Sequence, residues 1–369
     1  MSHFTWAWFE CTMSTGAIAT LLGQQPFYFT GLKTIGKVFF ILDLVLFLTF
    51  SGCIAYRFCT VNRSLNRSLH HPHESFYFGS FFVSIALILY CMEQYAVPAT
   101  GPWMVKALEV LFWIFAGVVM LVAIFQYHVI FDREKLPVKE AMPAWILPVY
   151  PFLVLGVLGS TLLNSQPKNA GLPIFIGSIA FQGLGFTIAF FMLTIYFTRL
   201  VKSELPEAPK RPGMYVAVGP AAYTANTLVA LGLQAPYHIP DDFLGITSVP
   251  VGDLFKAFGV ATGIFIWLVA FWFFALTTVS VLISVRESHF TLVRYTHIRS
   301  NCATHTDSTR QFLELLGFHI PKRRSNNCPD PDFQGTTKFR HQGCLQCRNH
   351  RIGDYVAVCG DHDGSWRAA

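Results

Sequence analysis

Charged residues are scarce in this chain. Lys, Arg, Asp and Glu make up 13% of its 369 residues, whereas an ordinary soluble domain has about 25%. Hydrophobic residues account for 53% of the sequence, and the mean hydropathy is +0.45. Because so few charged side chains are available to face water, we expect a large part of the chain to be solvated by lipid.

The motifs of common enzyme classes are also missing. The sequence contains no Gly-rich phosphate loop, no HExxH, no GxSxG and no paired carboxylates at helix spacing. The net charge of +6 is accounted for by the loops and the C-terminal part, so nothing indicates nucleic-acid binding. We therefore expect no enzyme activity, no cofactor and no nucleic-acid partner. We also expect no cleavable signal peptide, since no basic region precedes Phe4.

Long apolar runs dominate the first three quarters of the sequence. A spanning helix needs roughly 20 apolar residues, and eight segments qualify: 4–22, 35–56, 76–95, 103–131, 143–163, 172–197, 213–233 and 254–285. Short polar links separate them, which indicates an all-α polytopic membrane protein. Residues 1–285 hold 15 Lys/Arg and 13 Asp/Glu, whereas the much shorter remainder holds 12 and 8. We therefore predict a transmembrane domain over 1–285 and a polar tail over 286–369.

The distribution of basic residues predicts the orientation. Ten Lys and Arg residues lie in one set of connecting loops and five in the opposite set. Because cytoplasmic loops carry the excess of basic residues, we expect the first set of loops and both termini to face the cytoplasm.

The odd-numbered spans differ in texture from the second and fourth. They contain small, hydroxyl or proline residues, as in MSTGAIAT (13–20), ESFYFGSFFVS (74–84), PAWILPVYP (143–151) and AVGPAAYT (217–224). Small residues allow close helix approach, and a proline within a span frees a carbonyl that neighbouring helices or water must satisfy. We predict an inner ring of odd helices inside an outer ring of even ones, with a kink at Gly219–Pro220. Tight packing alone would produce the same texture as a pathway.

Four ionisable residues fall within the predicted spans. Such a residue costs about 3 kcal/mol or more unless paired or hydrated, so it indicates function by default. Glu93 and His128 lie near helix ends, from which we expect them to reach the headgroups. Asp43 is expected to form a hydrogen bond to an adjacent helix. Glu10 is expected either to carry a proton or to lie hydrated at a pore mouth.

Four stretches of the sequence carry a family resemblance. They are HFTWAWFECTMSTGAIATLL (3–22), HPHESFYFG (71–79), MPAWILPVYPFLVLGVLGSTL (142–162) and KRPGMYVAVGPAAYTANTLVALG (210–232). Together they resemble the tellurite-resistance/C4-dicarboxylate transporter family, also called the voltage-dependent anion channel family, in order from His3 to about Thr291. The opening stretch is more similar to the fungal malic acid transporters of this family than to its sulfite pumps.

The resemblance implies a fold of ten helices in five hairpins around a central pore. The first helix of each hairpin would line the anion path, and relatives are often trimeric, which implies a homotrimer. By correspondence of motifs it implies nine path residues: Ser14, Thr15, Gly16, Gly79, Pro148, Pro151, Gly219, Pro220 and Thr224. Hydroxyls, backbone N–H groups and helix ends would then bind the anion weakly enough to release it.

The resemblance also implies a function. We expect a plasma-membrane transporter of small organic anions, malate and other C4-dicarboxylates first. Sulfite efflux is the alternative within the family. A membrane protein that does not transport, such as a receptor, a scaffold or a truncated product, is the alternative from another class.

The C-terminal part departs from the family pattern. Where relatives continue with a ninth apolar helix, this chain has HFTLVRYTHIRSNCATH (289–305), and no apolar run of that kind follows. We expect the tail to be disordered or read in a shifted frame from around residues 293–296, in which case another frame of the genomic DNA encodes two apolar spans. A weak zinc-site candidate within it comprises Cys344, Cys347, His350 and Cys359. Because no packed core surrounds them, we expect no metal.

Overall fold

The fold is all-helical. The structure, a computed structural model, describes residues 4–61, 64–70, 74–133, 137–241, 243–245 and 248–300. Over these residues the chain forms no strand and nine α-helices: α1 (Phe9–Gly23), α2 (Leu32–Thr60), α3 (Ser64–Leu69), α4 (Phe78–Cys91), α5 (Pro102–Arg133), α6 (Tyr150–Leu162), α7 (Lys168–Lys202), α8 (Val218–His238) and α9 (Val251–Ser300). The predicted fold class is confirmed.

Seven helical segments of the described chain are long and apolar enough to cross a membrane. They are Leu32–Thr60, Ser75–Ala99, Pro102–Asp132, Pro143–Leu162, Lys168–Lys202, Ala208–His238 and Val251–Val285, and they coincide with the second to eighth predicted spans. The first predicted span contains α1, which has only 15 residues and follows a 3₁₀ turn. Helix α9 continues past the predicted boundary at 285 as far as Ser300.

The odd-numbered predicted spans form the inner part of the helix bundle, and the even-numbered spans pack around them. Helices α1, α4, α6 and α8, which we call the inner helices, form a row in which each packs against the next. The long helices α2, α7 and α9 each pack against the inner helix that precedes them, and α5 packs against α4 and α6. In the most apolar stretch of the span containing α6, 94% of the residues are buried, against 11% for α2. Within the described ranges α1 and α8, at the two ends of the row, make no extended contact.

Each inner helix begins with a 3₁₀ segment. These four leading 3₁₀ segments are Trp6–Trp8, Ser75–Tyr77, Pro143–Val149 and Ala208–Ala217. Pro148 lies within one of them, whereas Pro151 and Pro220 lie in the first turns of α6 and α8. A first-turn proline loses no hydrogen bond, because its N–H would have no partner within the helix. The predicted kink at Gly219–Pro220 is therefore wrong: the pair marks the start of α8 and does not interrupt a helix.

Side chains from outer helices bind the backbone carbonyls at these leading segments. Arg57 of α2 donates from Nη1 to the carbonyl of Phe4 at 2.6 Å. On α5, Gln126 Nε2 donates to the carbonyl of Ser75, and the Tyr127 hydroxyl donates to that of Trp145 at 3.2 Å. Lipid offers no donor to carbonyls outside a regular helix, and these contacts supply donors from the protein itself.

Two of the expectations for intramembrane ionisable residues are corrected. Asp43 is fully buried against α1, but neither of its carboxyl oxygens has a hydrogen-bond partner among the described residues. The carboxyl group lies against the backbone of α1, where a Cβ on Gly16 would come within 2.8 Å of Asp43 Oδ2, and the predicted hydrogen bond is wrong. Glu93 is only 5% exposed, because it lies in a π-helical turn, Met92–Ala96, that packs against α1 and α6. It does not reach outward. His128 is exposed, as expected.

Candidate functional site

A cavity of about 910 Å³ opens where the inner helices begin. Each of the four contributes to its wall through a residue in its leading 3₁₀ segment or first turn: Glu10 for α1, Tyr77 for α4, Trp145 for α6 and Val216 for α8. The cavity is thus a shared vestibule of the inner row. It lies on the face that the basic loops predict to be cytoplasmic.

Helix polarity at this vestibule favours negative charge. The N–H groups of a helix's first turn have no acceptor within the helix, and the N-terminal end carries a partial positive charge. Four inner helices begin at the same cavity. The first N–H of each α-helix already donates to its leading 3₁₀ segment, so the helix dipoles supply the positive charge at this region. Anions are commonly bound at such helix ends.

Among the described residues, six charged side chains line the vestibule, three of each sign. The cations are Lys139, Arg199 and Lys210, and the carboxylates are Glu10, Glu140 and Glu207. Lys210 and Glu207 neutralise each other at an N–O distance of 3.1 Å. The vestibule is therefore polar and mixed in sign, and it has no uniform positive field.

Aromatic side chains connect the mouths of neighbouring inner helices. The rings of Phe76 and Trp145 stack with centroids 6.0 Å apart. The buried hydroxyl of Tyr150 donates to the carbonyl of Val216, and the same ring meets Tyr223 of α8 edge to face at 6.0 Å. These contacts fix α4 to α6 and α6 to α8 at the vestibule.

The path residues implied on α1 lie on two faces of that helix. Ser14 is exposed and Thr15 partly exposed, and their hydroxyls donate to the carbonyls of Glu10 and Cys11 at 2.8 Å each. Gly16 is buried, and a Cβ placed on it would come within 2.8 Å of Asp43 Oδ2. Gly16 thus allows α1 and α2 to approach closely.

The implied path residues on the other inner helices lie at helix–helix contacts, and all of them except the partly exposed Gly219 are buried. A Cβ on Gly79 would overlap the carbonyl of Leu147, and one on Gly219 would overlap the hydroxyl of Tyr150. The prolines among them are all buried: Pro148, Pro151 and Pro220. These glycines and prolines bring the inner helices into direct contact.

Thr224 makes its contacts toward an outer helix. Its hydroxyl donates to the carbonyl of Pro220 at 2.6 Å and accepts from Gln182 Nε2 of α7 at 2.7 Å. Gln182 also accepts from the hydroxyl of Thr227 at 3.1 Å. Of the ten residues named from the sequence as path or proton-coupling candidates, Glu10 alone lines the vestibule. The path-lining role of the other nine stays a prediction.

Sequence reasoning missed several vestibule residues, notably Tyr77, Trp145 and Arg199. Tyr77 and Trp145 occur in the stretches that carry the family resemblance, so those stretches could have suggested them. Nothing in the sequence distinguishes Arg199 from the other basic residues that predict the orientation. Its burial is visible only in the packed structure.

The zinc-site candidate, Cys344, Cys347, His350 and Cys359, lies outside the described residues. Within the ranges that are described, no group of three or more His, Cys, Asp or Glu side chains could hold a metal ion.

Comparison with known proteins places this geometry in a family. The sequence model of the voltage-dependent anion channel family matches residues 3–306. The chain is 33% identical over 282 residues to a malic acid transport protein of Schizosaccharomyces pombe, covering 76% of this chain and 64% of the relative. A putative malic acid transport protein of the same yeast is 33% identical over 275 residues, covering 73% of this chain and 64% of the relative.

Sulfite efflux pumps are also similar to the chain. That of Trichophyton rubrum is 28% identical over 278 residues, covering 74% of this chain and 73% of the pump. The chain spans just under two thirds of the length of the malic acid transport proteins that it matches. Because the family match covers most of the chain and seven helical segments of its described part are long and apolar enough to span a membrane, this integral membrane protein belongs to the voltage-dependent anion channel family.

Proposed function

We propose that this chain transports small organic anions, malate and other C4-dicarboxylates first, between its inner helices. The observation that carries the proposal is the convergence of four inner-helix N-termini on one polar vestibule. The names of the malic acid transport proteins support a dicarboxylate as the substrate. The path that we propose leads from the vestibule along the inner helices, past the nine residues implied by the family resemblance.

Proton coupling through Glu10 is a second element of the proposal. Glu10 lies at the start of α1 and lines the vestibule, so a passing anion meets its carboxyl group. If this group carries a proton together with the anion, Glu10→Gln should abolish the pH dependence of transport and retain measurable uptake. An unchanged pH profile in the variant would remove Glu10 from the mechanism.

Sulfite transport is the alternative within the same family. The sulfite efflux pump of Trichophyton rubrum shares 28% identity with the chain, and helix ends that accept a carboxylate also accept sulfite. A membrane protein that does not transport is the alternative from another class. The lack of an extended contact between α1 and α8 in the described part of the chain favours it, because an open row would expose the path to lipid.

Uptake of labelled malate by cells that express the full chain tests the proposal. We expect saturable uptake above that of cells expressing Gly219→Trp, which fills the contact between α6 and α8. Sulfite tolerance without malate uptake would favour the sulfite alternative. Equal malate uptake in both cell lines, with no gain in sulfite tolerance, would favour a protein that does not transport.

We further propose that the protein acts as a homotrimer in the plasma membrane, as the family resemblance implies. The exposed faces of α2 and α5 are apolar, which suits either lipid or a second copy of the chain. Mass measurement of the detergent-solubilised protein, together with its localisation as a fluorescent fusion, tests both parts.

A further inference from the structure

Arg199 is an unusual member of the vestibule wall. It lies in the last turn of the outer helix α7, yet it lines the cavity with the inner helices and is only 9% exposed. A cation so deeply buried is normally paired with a carboxylate.

The hydrogen bonds of Arg199 go only to uncharged acceptors. Its Nε donates to the backbone carbonyl of Lys139 at 2.8 Å, and its Nη1 approaches the thioether sulfur of Met142 at 3.4 Å. Nη2 makes no hydrogen bond to a described residue, and no described carboxylate lies within 4.0 Å of the group. Contacts of Nε and Nη1 thus hold the Arg199 guanidinium in place. The N–H groups of Nη2 remain able to donate to another acceptor.

The other two arginines whose side chains are described behave differently. Arg57 is paired with Glu74 at 2.5 Å. Arg211 donates to the carbonyls of Pro206 and Ser280 at 3.0 and 3.3 Å, and it is not part of the vestibule wall. Among these three, only Arg199 combines an unneutralised charge with a place in the cavity.

The surrounding charges leave this position available to an anion. Lys210 and Glu207 pair with each other, and Lys139 and Glu140 are adjacent, exposed residues of opposite sign. Glu10 lies in α1, and Arg199 makes no ion pair with it. A mixed field of this kind does not attract anions in general, so binding would depend on directional hydrogen bonds.

We propose that Arg199 forms a carboxylate-binding subsite in the vestibule, which holds one end of a dicarboxylate before it enters the row of inner helices. The planar guanidinium matches a carboxylate through two parallel hydrogen bonds. Lys139, whose carbonyl accepts from Arg199, also lines the cavity and adds a second cation to its wall. The inference rests on the proposed transport of dicarboxylates and names the residue that selects for them.

The Arg199 subsite would capture the anion before it enters the space between the inner helices. A dicarboxylate held at Arg199 has its other carboxylate free to reach the positive ends of the inner helices. Because Arg199 is on an outer helix, it can bind the anion without blocking the space between the inner helices. Removing it should weaken capture of the anion and leave the rest of the path intact.

The test uses the full chain, purified and reconstituted in proteoliposomes, with labelled malate as the probe. Arg199→Gln should raise the half-saturating malate concentration about tenfold or more, which corresponds to the loss of about one charge-assisted interaction. Arg199→Lys keeps the positive charge but lacks the two parallel N–H donors of the guanidinium, and it should raise the half-saturating malate concentration about threefold. Arg211→Gln, the matched control, should change it by less than about twofold.

The maximal rate separates binding from support of the fold. A structural role for Arg199 would lower the maximal rate and the thermal stability for every anion alike. The subsite predicts a change confined to the half-saturating concentration, together with loss of the stabilisation that malate gives to the purified protein. If Arg199→Gln does not yield folded protein, the same measurement on Arg199→Lys decides.

The outcomes keep the two proposals apart. Malate transport by all three variants with the half-saturating concentration of the parent chain would overturn the subsite and leave the proposed function standing. Absence of both malate transport and malate binding in the parent chain would overturn the proposed function, and the subsite with it.

Discussion

Replacing Thr224 by Val separates a structural role from a path-lining role at that position. Valine has nearly the same shape, but it has no hydroxyl to accept from Gln182 or to donate to the carbonyl of Pro220. The buried Nε2 group of Gln182, a residue 2% exposed, is then left without this acceptor. The contacts of Thr224 therefore predict that the variant loses stability, whereas a path-lining role predicts in addition a loss of affinity for the anion.

The magnitude follows from the bonds that are lost. Hydrogen bonds between membrane helices contribute about 0.6 kcal/mol on average and up to about 1.7, and an unsatisfied buried donor adds roughly 1 kcal/mol or more. We expect Thr224→Val to lower the free energy of unfolding by about 1–3 kcal/mol. Combined with Gln182→Leu, it should cost about 1 kcal/mol less than the two single changes added together, since both remove the same bond.

Unfolding in mixed micelles and malate half-saturation in proteoliposomes are the two assays. Thr194→Val is the matched control: Thr194 is an exposed residue of α7 whose hydroxyl donates to Phe190 within its own helix at 2.9 Å. It should change the free energy of unfolding by about 0.5 kcal/mol or less. A Thr224→Val protein of parental stability with severalfold weaker malate transport would refute the reasoning and show that Thr224 faces the anion.

Three further predictions concern close contacts within the helix bundle. Gly219→Ala should lower the free energy of unfolding by about 1–3 kcal/mol because its Cβ meets the Tyr150 hydroxyl. The control Gly183→Ala, with open space around it, should be neutral or stabilising by up to about 1 kcal/mol. Equal changes in the two variants would contradict the close contact at Gly219. Tyr150→Phe should cost about 1 kcal/mol through loss of the bond to Val216 and should partly relieve the Gly219→Ala strain in the double variant; strictly additive melting shifts would argue against this contact. Asp43→Asn should leave the melting temperature unchanged or higher, because the carboxyl group has no hydrogen bond among the described residues to lose; a large decrease would mean that the group has a partner.

Hydropathy and residue texture predicted the helices and their inner or outer position because both depend on contact with lipid. A solid run such as FFILDLVLFLTF (39–50) belongs to α2, which is mostly exposed, whereas PAWILPVYP (143–151) leads into the most buried helix. Lipid accepts only apolar surface, so a span with glycine, proline and hydroxyl residues must find other partners. That requirement can be recognised in a single sequence.

The direction of individual side chains could not be predicted in the same way. Thr224 and Thr227 avoid lipid, but a helix in the inner row has more than one face that avoids lipid. One faces the vestibule and its path, and another faces α7, where both hydroxyls meet Gln182. Polarity alone does not distinguish these faces, because a buried amide satisfies a hydroxyl as well as a hydrated path does.

The leading 3₁₀ segments show why the outer helices matter to an anion site on the inner ones. Their carbonyls would present negative ends to the vestibule if they were left without donors, which would oppose an anion. Gln126 and Tyr127 of α5 donate to two of these carbonyls. Arg57 of α2 donates to the carbonyl of Phe4, just ahead of the first segment, and Arg199 of α7 donates to that of Lys139, ahead of the third. Each donor binds a carbonyl from outside the row, while the N-termini of the inner helices face the cavity. Under the proposed function, anion binding at the vestibule would therefore depend jointly on the inner helix ends and on outer side chains such as Arg199.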